Sequence, residues 1–207
     1  MKQFETEQEN FWSGDFGTDY IQRNQGNTLI ASNIMMLSKT IQKTSKIKSV
    51  IEFGSNIGLN IKALEQLLPS ASLSAVEINK DAALIVKSTT SANVYNTSLF
   101  DFKVDFQRDL SFTKGVLIHI NPDLLPLAYD KLYNASSKYI LMVEYYDPNP
   151  VQVVYRGHQK KLFKRDFPGE FMSRFPDVEL IDYGFFYHKD PHADRDDSNW
   201  FLMEKKN

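Results

Sequence analysis

The apolar positions of this chain switch between two periods. Upstream of Val50 they recur at spacings of three and four. In "TLIASNIMMLSKTI", Leu29, Ile30, Ile34, Leu37 and Ile41 fall on one face of a predicted helix. From Ile47 onward, short β-branched runs alternate with helical ones. "IKSVIEF" and "SLSAVEI" predict strands, while "NIKALEQLL", stopped by Pro69, and "KDAALIVKS" predict helices. "ANVYN" and "DLSFT" are further short strands, and "SKYILMVEYY" is a long one. "NPDLLPLAYDKLYNA" predicts a helix that Asn121 caps, with Pro122 at its first position. Strand–helix alternation of this kind implies a mostly parallel sheet with helices on both faces. Near the end the alternation stops. "VELIDYGFFYHK" and "SNWFLMEK" flank the polar turn "DPHADRDD" with no helix between them, which predicts an antiparallel pair at the sheet's edge. We read residues 1–207 as one α/β domain. Residues 1–45 form a helical N-terminal extension or lid, residues 46–207 the core, and residues 147–176 a substrate-side segment.

Composition narrows the function classes. The 207 residues carry a formal net charge of -2, so bulk charge gives no reason to expect nucleic acid or a membrane as partner. The chain has no cysteine, which excludes disulfides, thiolate nucleophiles and cysteine metal sites, and no metal is expected. The opening "MKQFETEQEN" is not signal-peptide-like, and no apolar run approaches the roughly 20 residues of a membrane span, so the expected location is the cytoplasm. Aromatic residues make up 13% of the chain and often stand in polar surroundings, which suggests a pocket with aromatic walls.

"VIEFGSNIGLN" carries the first chemistry. A buried strand, a turn with Gly54 and Gly58, and a helix start lie where open α/β sheets bind ligands. Asn56 occupies the middle glycine position of a dinucleotide fingerprint, and its side chain argues against a pyrophosphate. No Lys-Ser or Lys-Thr follows, so the turn is not a P-loop. Glu77 ends the second strand about 20 residues on, where an acid binds ribose hydroxyls. The ligand is then an adenosine without a pyrophosphate, and S-adenosylmethionine fits.

"VIEFGSNIGLN", "LSAVEIN" and "DLSFTKGVLIHI" resemble the motifs of class I S-adenosylmethionine-dependent methyltransferases, from about Ile47 to the C-terminus. "FWSGDFGTDYIQRN", "FTKGVLIHINPD", "VEYYDPNPVQVVYRGH" and "KLFKRDFPGEF" resemble more narrowly the methylases associated with pseudaminic acid biosynthesis. The resemblance implies a Rossmann-like, seven-stranded, mostly parallel sheet whose last strand is antiparallel. It implies O- or N-methyl transfer from S-adenosyl-L-methionine to a small molecule: a nonulosonic, pseudaminic-acid-like sugar or its nucleotide-activated form. Alternatives are another acceptor, such as a natural-product amine or a protein side chain, and a non-catalytic cofactor-binding partner in a biosynthetic complex.

By the same resemblance, Glu52, Gly54, Ser55, Asn56 and Gly58 surround the methionine part of the cofactor. Glu77 takes the ribose, and Ile78, Ser98 and Leu99 border adenine. Tyr20 and Arg23, beside Asn24, fold back over the cofactor. Lys114 contacts the cofactor or an anionic substrate. The residues themselves offer three candidate bases, His119, Glu144 and His158. Tyr145, Tyr146, Tyr155 and Arg156 are expected to line the acceptor pocket, with His188 and Trp200 at its rim. The basic run that ends in Lys160, Lys161, Lys164 and Arg165 suits an anionic acceptor, although the three lysines read best as a solvated helix face.

Overall fold

The computed structural model describes residues 4–23, 26–193 and 195–206. Three helices come first: α1 (Glu7–Ser13), α2 (Asp15–Ile21) and α3 (Asn27–Thr40). An alternating run follows: β1 (Ser49–Phe53), α4 (Leu59–Leu67), β2 (Ser72–Glu77), α5 (Lys80–Thr89), β3 (Asn93–Asn96) and β4 (Arg108–Lys114). Then come α6 (Leu125–Ala135), β5 (Ser136–Glu144), a hairpin of β6 (Val151–Tyr155) and β7 (His158–Lys164), α7 (Phe167–Arg174), β8 (Val178–Phe186) and β9 (Ser198–Lys205).

Seven strands form one sheet in the order β3-β2-β1-β4-β5-β9-β8. Strands β1 to β5 pair in parallel, and β9 runs antiparallel to both β5 and β8. The expected antiparallel pair is therefore present, but β9 lies inside the sheet and β8 forms the edge. Burial explains the order. β9 buries Trp200 and Leu202 on one face and Met203 on the other, as an internal strand must. β8 leaves Tyr183 66% and Phe185 52% exposed, which an edge strand tolerates.

The period-2 alternation sorts each central strand between two apolar layers. Ile51, Phe53, Ile140 and Met142 face α6 and α7, while Val50, Leu110, Phe112, Leu141 and Val143 face α3 and α4. All of these residues are at most 1% exposed.

Two expectations are corrected. The buried face of α3 is Ser32, Asn33, Met36, Leu37 and Thr40, whereas Leu29, Ile30 and Ile34 are half-exposed. The helix is turned so that polar residues point inward, because a cavity lies there. Lys160, Lys161 and Lys164 stand on β7, not on a helix. The β6–β7 hairpin turns through Arg156 (φ 50°) and Gly157 (φ 85°), the two left-handed residues that a tight two-residue hairpin requires. Lys161 is buried there and ion-pairs with Glu7 of α1.

Candidate active site

A cavity of about 580 Å³ runs along the carboxyl ends of the parallel strands, a size typical of small-molecule sites. One half lies over β1, β2 and β3. Its floor is the turn between β1 and α4. Gly54 adopts φ 75°, and a Cβ there would come 2.4 Å from the Val116 side chain, so the turn needs glycine at this position. Asn56 also lies in the left-handed region, at φ 46°, which asparagine tolerates better than most residues. Its backbone N–H donates to Glu77 Oε2 at 2.7 Å, and Asn79 N–H donates to Glu77 Oε1 at 2.7 Å. Glu77 thus ties the turn to the end of β2 while its side chain lines the cavity. Burial pushes its pKa up, and the backbone donors hold it down.

Ile78, Thr97, Ser98, Leu99 and Phe100 close this half. The Ser98 hydroxyl donates to the Glu9 carboxylate, and the Asn79 amide donates to the Trp12 carbonyl at 3.3 Å. With the Asn79 amide also reaching the Thr18 hydroxyl of α2 at 3.2 Å, the first two helices are fastened over this wall. At their other edge Gln8 donates to the Lys160 carbonyl at 3.0 Å, and Phe11 packs on His158.

Between the halves lies a buried polar cluster. Glu52 Oε1 accepts the Asn60 amide at 2.6 Å. Glu52 Oε2, Asn60 Oδ1 and Ser55 Oγ are buried and have no partner. Burial raises the Glu52 pKa to about 8. Asn60 and Ser55 line the cavity, and Glu52 stands just behind them. Such orphaned acceptors fit a bound ammonium.

The second half lies over β4, β5 and β9. His119 sits on a 3-10 turn (Leu117–His119) that follows β4. Its Nδ1 lies 2.5 Å from the Lys161 carbonyl oxygen. A carbonyl can only accept, so the ring proton is on Nδ1 and Nε2 keeps its lone pair. Burial lowers the imidazole pKa to about 4 despite that bond, so the ring is neutral near pH 7. Trp12 and Tyr155 flank it, with centroids 4.6 and 4.9 Å away. Tyr20, Lys114, Tyr145, Tyr155 and Arg156 complete the predicted residues on this wall.

Several predicted residues do not line the cavity. The Glu144 carboxylate accepts the backbone N–H groups of Val116 and Leu117 at 3.1 and 3.2 Å, and of Ile118 at 3.4 Å. It is 2% exposed and caps the turn that carries His119, so both its oxygens are taken up by backbone donors. His158 faces Phe11 and Phe16 on the outside of the hairpin. Tyr146 is exposed beside Phe201. Arg23 is exposed, with its guanidinium 5.6 Å from the Phe16 ring. Gly58 shapes the turn at φ 78° but packs against Val86. His188 pairs with Asp197, and Trp200 is core. Asn24 lies outside the described residues.

The sequence reading missed Ser32, Asn33, Asn60, Arg195 and Asp196, all on the cavity wall. Polar residues within the α3 pattern were a signal for the first two; Arg195 and Asp196 sit in a turn without any pattern. Among the described residues there is no cluster of metal-ligating side chains. No described helix is long and apolar enough to cross a membrane.

No protein-family model and no curated protein matches the chain. Solved structures do. The plantazolicin methyltransferase BpumL, in complex with a pentazolic desmethyl analogue and S-adenosylhomocysteine, has a TM-score of 0.67 at 12% identity over 96% of this chain and 95% of that one. The magnesium protoporphyrin IX methyltransferase from Synechocystis with bound S-adenosylmethionine gives 0.66 at 12% identity, over 99% and 100%. The sugar N-methyltransferase KedS8 from Streptoalloteichus gives 0.66 at 11% identity, over 92% and 93%. The strand order, the antiparallel β9 and these likenesses together establish that the chain has the Rossmann-like fold of class I S-adenosylmethionine-dependent methyltransferases.

Proposed function

We propose that this protein is an S-adenosylmethionine-dependent methyltransferase of a small molecule. The observation that carries the reading is one continuous cavity with two chemically distinct halves. Glu77 and the Asn56 turn stand in one half, and neutral His119 among aromatic rings stands in the other. The cofactor supplies a methyl group already activated by a sulfonium charge.

The protein's part is to bind, align and exclude water. Glu77 takes the ribose hydroxyls, with Ile78 and Leu99 against adenine. Asn60 and Glu52 take the ammonium through their unpartnered oxygens. Trp12, Tyr20 and Tyr155 wall the reacting atoms from solvent. As the acceptor's bond to carbon forms, its O–H or N–H becomes acidic, and His119 Nε2 takes that proton. A base of pKa about 4 is a weak one, strong enough for the acidic oxonium that O-methyl transfer leaves but not for an ammonium, which favours a hydroxyl acceptor if His119 is the base.

A cavity of this size with aromatic walls favours a small acceptor over a protein side chain. A nonulosonic acid or its nucleotide-activated form is the acceptor we favour, on the strength of the segments around Trp12, Gly115 and Arg156. The narrow-family likeness is the ground for that choice, and the cations on the acceptor wall agree with it. Purified protein with tritiated S-adenosylmethionine, assayed against a panel of free and nucleotide-activated nonulosonic acids, tests the acceptor. Calorimetry with S-adenosylhomocysteine tests the cofactor; no measurable binding would favour a non-catalytic binding partner.

A further inference from the structure

The acceptor half contains two cations that no predicted role requires to stand together. Arg195, in the turn between β8 and β9, and Lys114, at the end of β4, both line the cavity. Lys114 Nζ has one hydrogen-bond partner, Asn33 Oδ1 at 3.2 Å. Arg195 Nη2 donates to the Ser32 carbonyl at 3.3 Å, its guanidinium lies 4.7 Å from the Phe186 ring, and its Nε is buried without a partner. Neither cation forms an ion pair with a described carboxylate.

The surrounding acids, Glu52, Asp196 and Glu144 near Lys114 and Asp190 near Arg195, act on the two cations through space without contacting them. Asp196 acts on Lys114 only at a distance, and its carboxylate accepts the Tyr145 hydroxyl at 3.1 Å. Glu52 turns its bonded oxygen to the Asn60 amide, and its other oxygen has no partner, so it forms no ion pair with Lys114. Burial lowers both cations' pKa values, and the charge of Arg195 further lowers that of Lys114. Desolvated like charges set side by side are unfavourable unless an anion joins them. Arrangements of this kind concentrate at binding sites.

We propose that Arg195 and Lys114, held by Ser32 and Asn33 of α3, form an anion-binding corner for a carboxylate or phosphate of the methyl acceptor. This rests on the methyltransferase reading and names the substrate class: an acid. The cofactor's own carboxylate is the other source of such an anion. Arg195 is anchored to α3 through the Ser32 carbonyl and not to the β1 turn, and Arg195→Met tells the two sources apart. Lys114 is one strand from β1 and lies between the two sites. The corner's donors, a guanidinium and an ammonium, give short charge-assisted bonds to either oxyanion.

The test uses the purified full chain with inorganic phosphate and acetate as probes. Thermal unfolding is followed with and without S-adenosylhomocysteine, against sodium chloride at equal ionic strength. A saturable rise of about 3 °C is expected at tenfold excess over the dissociation constant. It should vanish in Arg195→Met and in Lys114→Met and return in part in Arg195→Lys. Calorimetric affinity for S-adenosylhomocysteine should stay within twofold in Arg195→Met. The same anion response in Arg195→Met as in the unmutated protein, or none in either, overturns the corner. A tenfold loss of S-adenosylhomocysteine affinity in Arg195→Met would assign the arginine to the cofactor instead. If the unmutated protein fails to bind S-adenosylhomocysteine, the methyltransferase reading falls, while the anion response without it still reports on the corner.

Discussion

Glu52 sets up a conflict between stability and ligand binding that can be measured. Its side chain is 1% exposed, one oxygen has a single amide donor, and the other has none. Burial moves its pKa from 4.5 to about 8. The folded carboxyl therefore keeps its proton up to about pH 8, while the unfolded one releases it near 4.5. Between those values the folded state binds more protons, so this group's contribution to stability falls as pH rises. At 1.36 kcal/mol per unit, the loss from pH 4.5 to 7 is about 3 kcal/mol. Glu52→Gln removes the titration, keeps the shape, and offers an N–H to the unpartnered Asn60 oxygen. Urea unfolding of both proteins at pH 5, 6, 7 and 8 should show near-equal stability at pH 5. The variant's advantage should grow to about 2–3 kcal/mol at pH 7, because the ionisation penalty is present only in the parent. Comparing the two proteins at each pH isolates this group from Glu77 and Glu144, whose pKa values burial also raises. In the same variant, S-adenosylhomocysteine should bind at least tenfold more weakly, since the ammonium loses its counter-charge. The unmutated protein should release close to one proton on binding at pH 7, seen as different calorimetric heats in phosphate and Tris. Stability curves that run parallel over pH would refute the reasoning, and ligand binding without proton release would separate Glu52 from the ammonium.

Three further outcomes are expected. Glu77→Ala should lower S-adenosylhomocysteine affinity at least tenfold by calorimetry, because it removes the ribose acceptor and frees the Asn56 turn; unchanged affinity would sink the ribose role. His119→Ala should cut turnover by about 10²–10⁴ with cofactor affinity within twofold. In the unmutated enzyme the pH–rate profile should show no histidine limb between pH 5 and 7, because the imidazole titrates near 4. Glu144→Ala should destabilise the fold by about 2–4 kcal/mol, measured in urea, because three backbone donors lose their acceptor. A variant that unfolds like the parent yet fails in transfer would restore Glu144 as a base.

The sheet was legible wherever local sequence and tertiary burial agree. Val50 and Ile51 point to opposite layers because adjacent strand residues always do, and the β1 turn needs Gly54 because of its own backbone. The hairpin at "VVYRGH" was not read, because the lysines beyond it drew the reading toward a helix. The α3 face was misread because apolar period assumes that apolar residues face inward. Here the inward face borders a polar cavity, so Ser32 and Asn33 are buried in place of Leu29 and Ile30.

The sequence by itself determined the alternation of strands and helices, the antiparallel pair near the end, and the glycine turn with its strand-end Glu77. Each depends on residues within a turn or a strand of one another, where backbone geometry and period decide. Only the tertiary structure decided that β9 lies inside β8, that Glu144 caps the turn carrying His119, and that Arg195 and Lys114 bond adjacent residues of α3. Those outcomes join residues far apart in sequence, such as Glu144 with Val116, 28 positions away, and Arg195 with Ser32, 163 away. Which of several acids ends as an acceptor for backbone N–H groups, and which faces a ligand, depends on what lies across the cavity, and no local pattern records that.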